Sequence, residues 1–295
     1  FPHNPTYYFF MTQISPLAQV HPDAKIGKNV TILPFTFIDK DVTIGDNTWI
    51  ASNVSIFEGA RIGNNCHIFP GAVIAAVPQD LKFEGEYTTV EIGDNTTIRE
   101  CVTVHRATKY AYRTTIGANC LIMAYAHVAH DCEVGNNVIL ANGVQLAGHV
   151  IVENHAILEG LVAVQQFNRI GEHAFVAGGS LVRKSIPPYI RVAREPLSYI
   201  GINSVGLERR GFSSETMQQI QNIYRHIFVA GYPLKKALDV VRQQEEPSTV
   251  REYILQFIEN AKDGIVRGFH TSSPATTKIT TNTDQIIEVN NNGQH

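Results

Sequence analysis

Twelve histidines stand in this 295-residue chain, and six of them, His105, His127, His130, His149, His155 and His173, fall between positions 105 and 173. Imidazole is the side chain that titrates near neutrality unaided, so such a cluster suits either metal binding or proton transfer. His127, His130 and His149 could supply three ligands of a tetrahedral zinc site. No cysteine pair or carboxylate spacing adds to them, so the expectation is no metal and no other cofactor. His155 and His173 read as solvent-facing side chains at turns. Proton transfer has a stronger basis in spacing, because His130, Gly148 and Gln166 follow one another at equal steps of 18 in the sequence. If that step is one structural repeat, a candidate general base, a backbone free of side chain and an amide lie in one column. Gly148 would let its N–H approach a developing oxyanion. Asp131 could fix the His130 tautomer and stabilise imidazolium, but neighbours in an extended strand point to opposite faces, so this pairing requires a turn.

The elements that must position these residues follow from a repeat. Every sixth residue from Val20 through Ile74 is aliphatic, and the same phase returns at Ile92, Ile98 and Val104 and then runs without a miss from Ile116 to Val182. Two positions earlier stands a small or β-branched residue, such as Val30, Val42, Ala60, Cys66, Ala72, Cys120, Ala126 or Cys132. This hexapeptide period is a signature of a parallel β-helix, whose short strands stack about 4.8 Å apart. The turn signal I-G-x-N begins at Ile26, Ile44 and Ile62, so three hexads make one coil. It returns at Ile92 and Ile116 after longer steps of 30 and 24, then keeps the step of 18 at Val134, Val152 and Ile170. The excess predicts two extruded loops, near Ala75 to Glu91 and near His105 to Thr115, and loops on a rigid solenoid commonly carry function.

The hexads stop at Pro187-Pro188, where the pattern turns helical. Helices are expected over Glu215 to Ala230, with Ser213 or Ser214 as N-cap and Gly231 as stop, over Leu234 to Glu245, and over Thr249 to Asp263 with Gly264 as stop. The predicted organisation is an extension over 1–13, a β-helix over 14–186, a small C-terminal helical domain over 187–267 and a disordered tail over 268–295. Residues 1–10 precede the first methionine, Met11, and are set aside as an extension. Cys66, Cys120 and Cys132 occupy the small corner position, so packing explains them. Cys66 and Cys120 fall two coils apart, too far to bridge, and Cys101 lies outside the pattern. A net charge of −3 gives no basic surplus for nucleic acid. No apolar run reaches the roughly 18 residues of a membrane span, and the first basic residue is Lys25, so a cytoplasmic protein without stable membrane insertion is expected.

Particular motifs add a family resemblance. The segment Ala126-His127-Val128-Ala129-His130-Asp131-Cys132 resembles the A-H-[IV]-A-H-D-C run of the bacterial UDP-N-acetylglucosamine O-acyltransferases, which start lipid A synthesis. Gln79-Asp80-Leu81-Lys82, Ile98-Arg99-Glu100, His105-Arg106, Leu146-Ala147-Gly148-His149 and Gly206-Leu207-Glu208-Arg209-Arg210-Gly211-Phe212 extend the similarity across about Ile14 to Arg267. The resemblance implies a left-handed β-helix assembled as a homotrimer with sites between subunits. It implies that His130 deprotonates the sugar 3-hydroxyl, that Asp131 orients His130, and that the Gly148 N–H holds the oxyanion formed on the thioester of a 3-hydroxyacyl group carried by acyl carrier protein. Gln79, Asp80, Lys82, His127, His149 and Gln166 would line the UDP-N-acetylglucosamine site. Asn203, Arg209 and Arg210 would contact uridine and phosphate, and Gly178 would set acyl-chain length, favouring long chains. Gln165 and Val205 depart from the family, which often has His and an acidic residue there.

Other readings attach to the same residues. The related hexapeptide N-acyltransferase of the same pathway shares the repeat and a histidine, and a zinc enzyme like the gamma-class carbonic anhydrases would use His127, His130 and His149. A noncatalytic scaffold would show a regular outward face rather than two irregular loops. Asp80 and Lys82 also fit a solvated loop pair, Arg209 and Arg210 a wet helix face, and Gln166 a turn amide.

Overall fold

In a computed structural model, which describes residues 11–268, each hexad forms a strand of two or a few residues followed by a tight turn. Thr31–Ile32, Phe37–Ile38 and Thr43–Ile44 are one such set, each on a different face. Strands one full coil apart pair in parallel, as Thr31 with Trp49 and Ile32 with Ile50. The result is three sheets of 12, 9 and 8 strands, parallel along the coils and wound into a left-handed β-helix. The expected inward positions are the core: Ile32, Ile38, Ile44, Ile50, Ile56, Ile68 and Ile74 are all buried. The small corner positions, including Cys66, Cys120 and Cys132, are buried with them. Cys101 is exposed, and all four thiols are free.

The I-G-x-N turn has a steric cause at each position. A Cβ on Gly45 would lie 2.5 Å from the carbonyl carbon of Gly63 on the next coil, closer than atoms can approach. The middle residue caps the coil before it: Asp46 Oδ1 accepts from the Lys28 N–H at 2.7 Å, and Asn64 Oδ1 from the Asp46 N–H at 2.8 Å. The final asparagine bends left-handed, with φ between 55° and 59° at Asn29, Asn47, Asn65, Asn95, Asn119 and Asn137. Asparagine tolerates this region better than most residues.

Both insertions appear as loops, over 77–88 and 106–112, each leaving a strand of the nine-stranded sheet and re-entering on the next face, in the eight-stranded sheet. They bond to each other, with Thr88 Oγ1 donating to the Ala107 carbonyl at 2.7 Å and the Lys109 N–H donating to Glu86 Oε1 at 2.8 Å.

The C-terminal region departs from the expectation in several places. Ile190–Ala193 and Ser198–Ile202 form an antiparallel hairpin that extends the 12-stranded sheet. Ile190 and Val192 are buried while Arg191 is exposed, the period-two pattern of a strand rather than a helix. A short helix, α1 (Ser204–Arg209), follows. Helix α2 (Ser214–Tyr224) is capped by Ser213 as expected, but it passes into a π-helical turn over Arg225–Val229 instead of continuing as α-helix. Helix α3 (Leu234–Gln244) matches closely, and α4 (Thr249–Glu259) stops at its cap Asn260, short of Asp263, before the turn at Gly264. The Glu153 carboxylate on the solenoid accepts from the Tyr253 hydroxyl of α4 and pairs with Arg169, joining helices to coils. Gln13, placed in the extension, already pairs with Thr31, and Gly268, placed in the tail, pairs with Tyr199. The rest of both terminal segments lies outside the described residues, apart from Met11 and Thr12.

The contact at Gly45 yields a prediction. Gly45→Ala must separate two coils whose facing atoms are all backbone, so it should destabilise folding by about 1–3 kcal/mol, measured by urea denaturation; an unchanged midpoint would show that the coils can part freely.

Candidate functional site

The strand His127–Val128 leads into a corner of the solenoid whose turn residue, Asp131, has φ 58°. That turn brings side chains of adjacent residues to the same side, as the His130–Asp131 pairing required: His130 Nδ1 lies 2.7 Å from Asp131 Oδ2. The Asp131 side chain is completely buried. Its Oδ1 accepts from the N–H groups of Thr108 at 3.1 Å and Ala111 at 3.0 Å, and Oδ2 accepts from Thr108 Oγ1 at 2.8 Å. An ionised carboxylate only accepts, so Nδ1 of His130 carries the proton and Nε2 keeps its lone pair. Nε2 faces the first loop, 3.9 Å from Asp80 Oδ2.

Gly148 stacks one coil on. A Cβ there would lie 2.5 Å from His130 Cε1 and 2.6 Å from Nε2, so the imidazole occupies the space a side chain would need. The Gly148 N–H is bonded to no acceptor among the described residues, while its neighbours' N–H groups, of Ala147 and His149, are both paired to carbonyls. Gln166, on the next coil, is exposed and its amide makes no hydrogen bond among the described residues. Beside this column runs a second one, Asp131, His149 and Phe167, all left-handed. The His149 ring stacks on Phe167 at 4.4 Å and meets His130 edge-on at 5.0 Å, while Tyr110 of the second loop contacts it at 4.5 Å. Burial lowers the affinity of His149 for a proton, with the Asp131 carboxylate acting the other way.

His127, on the adjoining face, bonds through Nδ1 to Thr103 Oγ1 at 2.7 Å and meets His105 edge-on at 4.7 Å. Burial, then the neighbouring His130, holds His127 below its ordinary pKa. His105 is buried with Nδ1 unpartnered, and burial followed by His127 and His130 pushes it down to about 4. On the first loop, the Lys82 N–H donates to Asp80 Oδ1 at 2.9 Å and holds that carboxyl below its usual range. Lys82 and Gln79 are exposed. The potential ligand atoms that cluster here are those of His130, Asp131 and His149. Asp131 already accepts four hydrogen bonds and His130 Nδ1 is engaged with it, so the arrangement does not fit a metal.

Asn203, Arg209 and Arg210 stand at a different corner of the same chain, where His155 and His173 replace the usual turn asparagine. Asn203 is buried and its Nδ2 donates to the His173 carbonyl at 2.9 Å, while Arg210 Nη2 reaches the His155 carbonyl at 3.4 Å and Arg209 is exposed. The expectation that His155 and His173 face solvent fails for His173, which is buried. It lies between His155, stacked at 4.7 Å, and Tyr189 at 5.8 Å, with Phe212 against its edge. The cover arrives from residues after the solenoid, which no local pattern reports. His155, Glu172 and His173 also gather donor atoms. The two rings are parallel to within 7°, so their lone pairs run side by side instead of converging, and Arg210 adds positive charge nearby.

Gly178 falls at the third corner, where its N–H donates to Glu159 Oε2 at 3.1 Å. Between this corner and that of His130 lies the nine-stranded face, with a groove of about 470 Å³ along its stacked coils. His127, Gln145, Ala163, Val164, Leu181 and Arg183 line it. Sequence reasoning missed Thr108, Tyr110 and Phe167. The step of 18 from Asp131 through His149 would have reached Phe167; the extruded loop has no period that could have given the other two.

Comparison with known proteins decides the family. Residues 186–266 match the family described as UDP N-acetylglucosamine O-acyltransferase, domain 2, and residues 41–76 and 113–148 match bacterial transferase hexapeptide repeats. The acyl-(acyl-carrier-protein)–UDP-N-acetylglucosamine O-acyltransferase of Alkalilimnicola ehrlichii is 46% identical over 258 residues, covering 87% of this chain and all of that one. The chain belongs to this O-acyltransferase family. Two solved UDP-N-acetylglucosamine acyltransferases share the fold throughout: that of Bacteroides fragilis is 49% identical with a TM-score of 0.84, over 86% of this chain and 100% of its own. That of Francisella novicida is 39% identical with a TM-score of 0.85, over 93% and 100%. Membership in this O-acyltransferase family replaces the N-acyltransferase and carbonic-anhydrase readings.

The buried His105 carries a pH prediction. Its folded value, about 4, is depressed from 6.5, so between these values the unfolded chain binds a proton that the folded chain does not. Stability from this group is therefore complete above 6.5 and is lost as pH falls towards 4. Urea denaturation across that window should show a shallower dependence on pH for His105→Asn than for the parent chain; equal slopes would mean that His105 takes up its proton without unfolding.

Proposed function

We propose that the His130 corner transfers a 3-hydroxyacyl group from acyl carrier protein to the 3-hydroxyl of UDP-N-acetylglucosamine, the first step of lipid A biosynthesis. The observation that carries this reading is a His130 Nε2 that makes no hydrogen bond among the described residues set beside a Gly148 N–H one coil away that also makes none there, behind an Asp131 that fixes the tautomer. Nε2 takes the proton of the sugar hydroxyl as its oxygen attacks the thioester carbonyl. The negative oxygen of the tetrahedral intermediate accepts from Gly148 N–H. Collapse breaks the carbon–sulfur bond, and the imidazolium, stabilised by Asp131, returns its proton to the departing thiolate. The products are the sugar ester and the free carrier thiol.

The first loop brings Gln79, Asp80 and Lys82 toward the sugar, with His127, His149 and Gln166 completing that side. Asn203, Arg209 and Arg210 bind the uridine and diphosphate, for which paired guanidinium groups are suited. These two groups of residues occupy separate corners of one chain, which supports a site completed by a second subunit in a homotrimer. Surface chemistry supports the same assembly. The corner that bears Gly178 exposes Leu17, Phe35, Tyr125 and Leu161, each more than half accessible, whereas the outward positions of the eight-stranded face include Lys25, Arg61, Glu91, Glu133 and Arg169. A ridge of exposed apolar side chains along a corner, beside a charged face, is the pattern of a surface covered by another copy. Both substrates of the proposed reaction are water-soluble, one a nucleotide sugar and the other a protein-bound acyl group, so we place the reaction in the cytoplasm. No helix among the described residues is long and apolar enough to cross a membrane.

The acyl chain lies along the groove of the nine-stranded face, and Gly178 at its far corner leaves room for a long one. Each methylene measured by such a groove is worth roughly 0.8 kcal/mol.

Purified protein incubated with UDP-N-acetylglucosamine and a series of 3-hydroxyacyl carrier proteins should yield the 3-O-ester, and His130→Ala should lose about 10²- to 10⁴-fold in rate while keeping its assembly. Near-parental turnover in that variant removes His130 from the reaction. Solution mass should be three times 32.7 kDa, and a fully active monomer would contradict a shared site. In the same assay the parent should prefer chains of about 14 carbons or more, with Gly178→Met shifting the preference to shorter ones. A folded Gly178→Met protein with an unchanged length profile would mean that the chain is measured elsewhere.

A further inference from the structure

The second loop does more than fill space beside the site. Four donors converge on the buried Asp131 carboxylate, and three of them come from residues 108–111 of this loop. The division between the two oxygens is specific. Among the described residues, Oδ1 is held by backbone N–H groups alone, from Thr108 and Ala111, whereas Oδ2, the oxygen that receives His130 Nδ1, is held in addition only by the Thr108 hydroxyl at 2.8 Å. Thr108 is itself buried. Its Oγ1 accepts from the Tyr110 N–H at 3.2 Å, which directs the hydroxyl proton toward Asp131. The loop in turn is fastened to the first loop, through Lys109 Nζ to Glu84 Oε2 at 3.0 Å as well as the Lys109 N–H to Glu86 Oε1.

We infer that Thr108 is a positioning residue of the transfer reaction: its hydroxyl anchors the Asp131 oxygen that orients the His130 imidazole. The inference rests on His130 being the base, as proposed above. Without the hydroxyl, Oδ2 keeps the imidazole as its only partner, and the carboxylate can pivot about the anchored Oδ1. The imidazole then loses its fixed aim toward the sugar hydroxyl, while the groups that bind the nucleotide sugar are untouched. A loss in kcat with little change in KM is the signature of an interaction that matters in the transition state.

The test compares Thr108→Val, which keeps shape and backbone but deletes the hydroxyl, with Thr108→Ser, which restores it. Thr108→Val should lower kcat about 10- to 100-fold, since hydrogen bonds to charged groups are the stronger kind, with KM for UDP-N-acetylglucosamine within about twofold, as expected of a group that touches no substrate. Thr108→Ser should recover most of the rate. In an Asp131→Ala background, Thr108→Val should add no further loss, because coupled residues are not additive. Should Thr108→Val fail to assemble, Thr108→Ala is read by the same measurements. Unchanged kcat, a loss carried by KM, failure of serine to rescue, or full additivity with Asp131→Ala would each overturn the inference. Crystal structures of the parent and Thr108→Val supply an arm independent of turnover: lengthening of the His130–Asp131 contact supports the anchor, and its persistence unchanged defeats it. If the parent chain transfers no acyl group at all, the reaction assigned above fails, and the crystallographic arm still decides whether Thr108 holds Asp131.

Discussion

Successive coils approach so closely that a single methyl group at Gly45 would collide with the backbone of the coil beside it. This closeness is imposed by the parallel hydrogen bonds linking each strand to its equivalent on the next coil, and everything else in the molecule is arranged around it. Because the spacing is fixed, residues one coil apart have equivalent positions, and a column at a corner works as one surface. Extra residues cannot be absorbed within a coil. They are thrown out as the loops over 77–88 and 106–112, which meet each other and fold back on the His130 corner. The stiffness of the solenoid thus generates the walls of the site.

The same constraint places polar chemistry at turns. The corners place residues in the left-handed region, a position that asparagine fills repeatedly at one corner, from Asn29 to Asn137, and that a mixture including Phe35, Asp41 and Tyr125 fills at the other two. At two corners the position passes to Asp131, His149 and Phe167 and to His155 and His173. Holding such residues at positive φ costs of the order of 1 kcal/mol or more each, a strain that the rigid coil sustains. In return, side chains leave the turn at a fixed angle. The 2.7 Å contact between sequence neighbours His130 and Asp131 exists because the chain reverses between them, and a straight strand could not provide it.

How far the sequence could be read follows from which contacts are periodic. The aliphatic series from Val20 to Val182 announces the β-helix because one inward side chain per hexad is all that a two-residue strand can bury. The spacing of His130, Gly148 and Gln166 was legible for the same reason, as were both insertions. The hairpin at Ile190–Ile202 was not, since its first strand is recruited by pairing with Phe175–Val176 of the last coil and prolines before it mimic a break. Burial of His173 depends on Phe212, which follows two further strands and a helix, and Thr108 meets Asp131 through a loop with no period. The N-terminal expectation missed the strand at Gln13, which one polar residue before Ile14 disguises.

Gly148 and His130 constrain what each position can hold. Its backbone is not left-handed, so conformation alone would admit any L-amino acid there. The imidazole of His130 forbids them all, by standing where the Cβ would be. The two positions therefore form one heritable unit. A descendant that gave up the histidine would at once find position 148 open to ordinary drift, and each new side chain acquired there would close the space to which the imidazole would have to return. Loss at this corner would act as a ratchet, easy to enter and increasingly difficult to reverse.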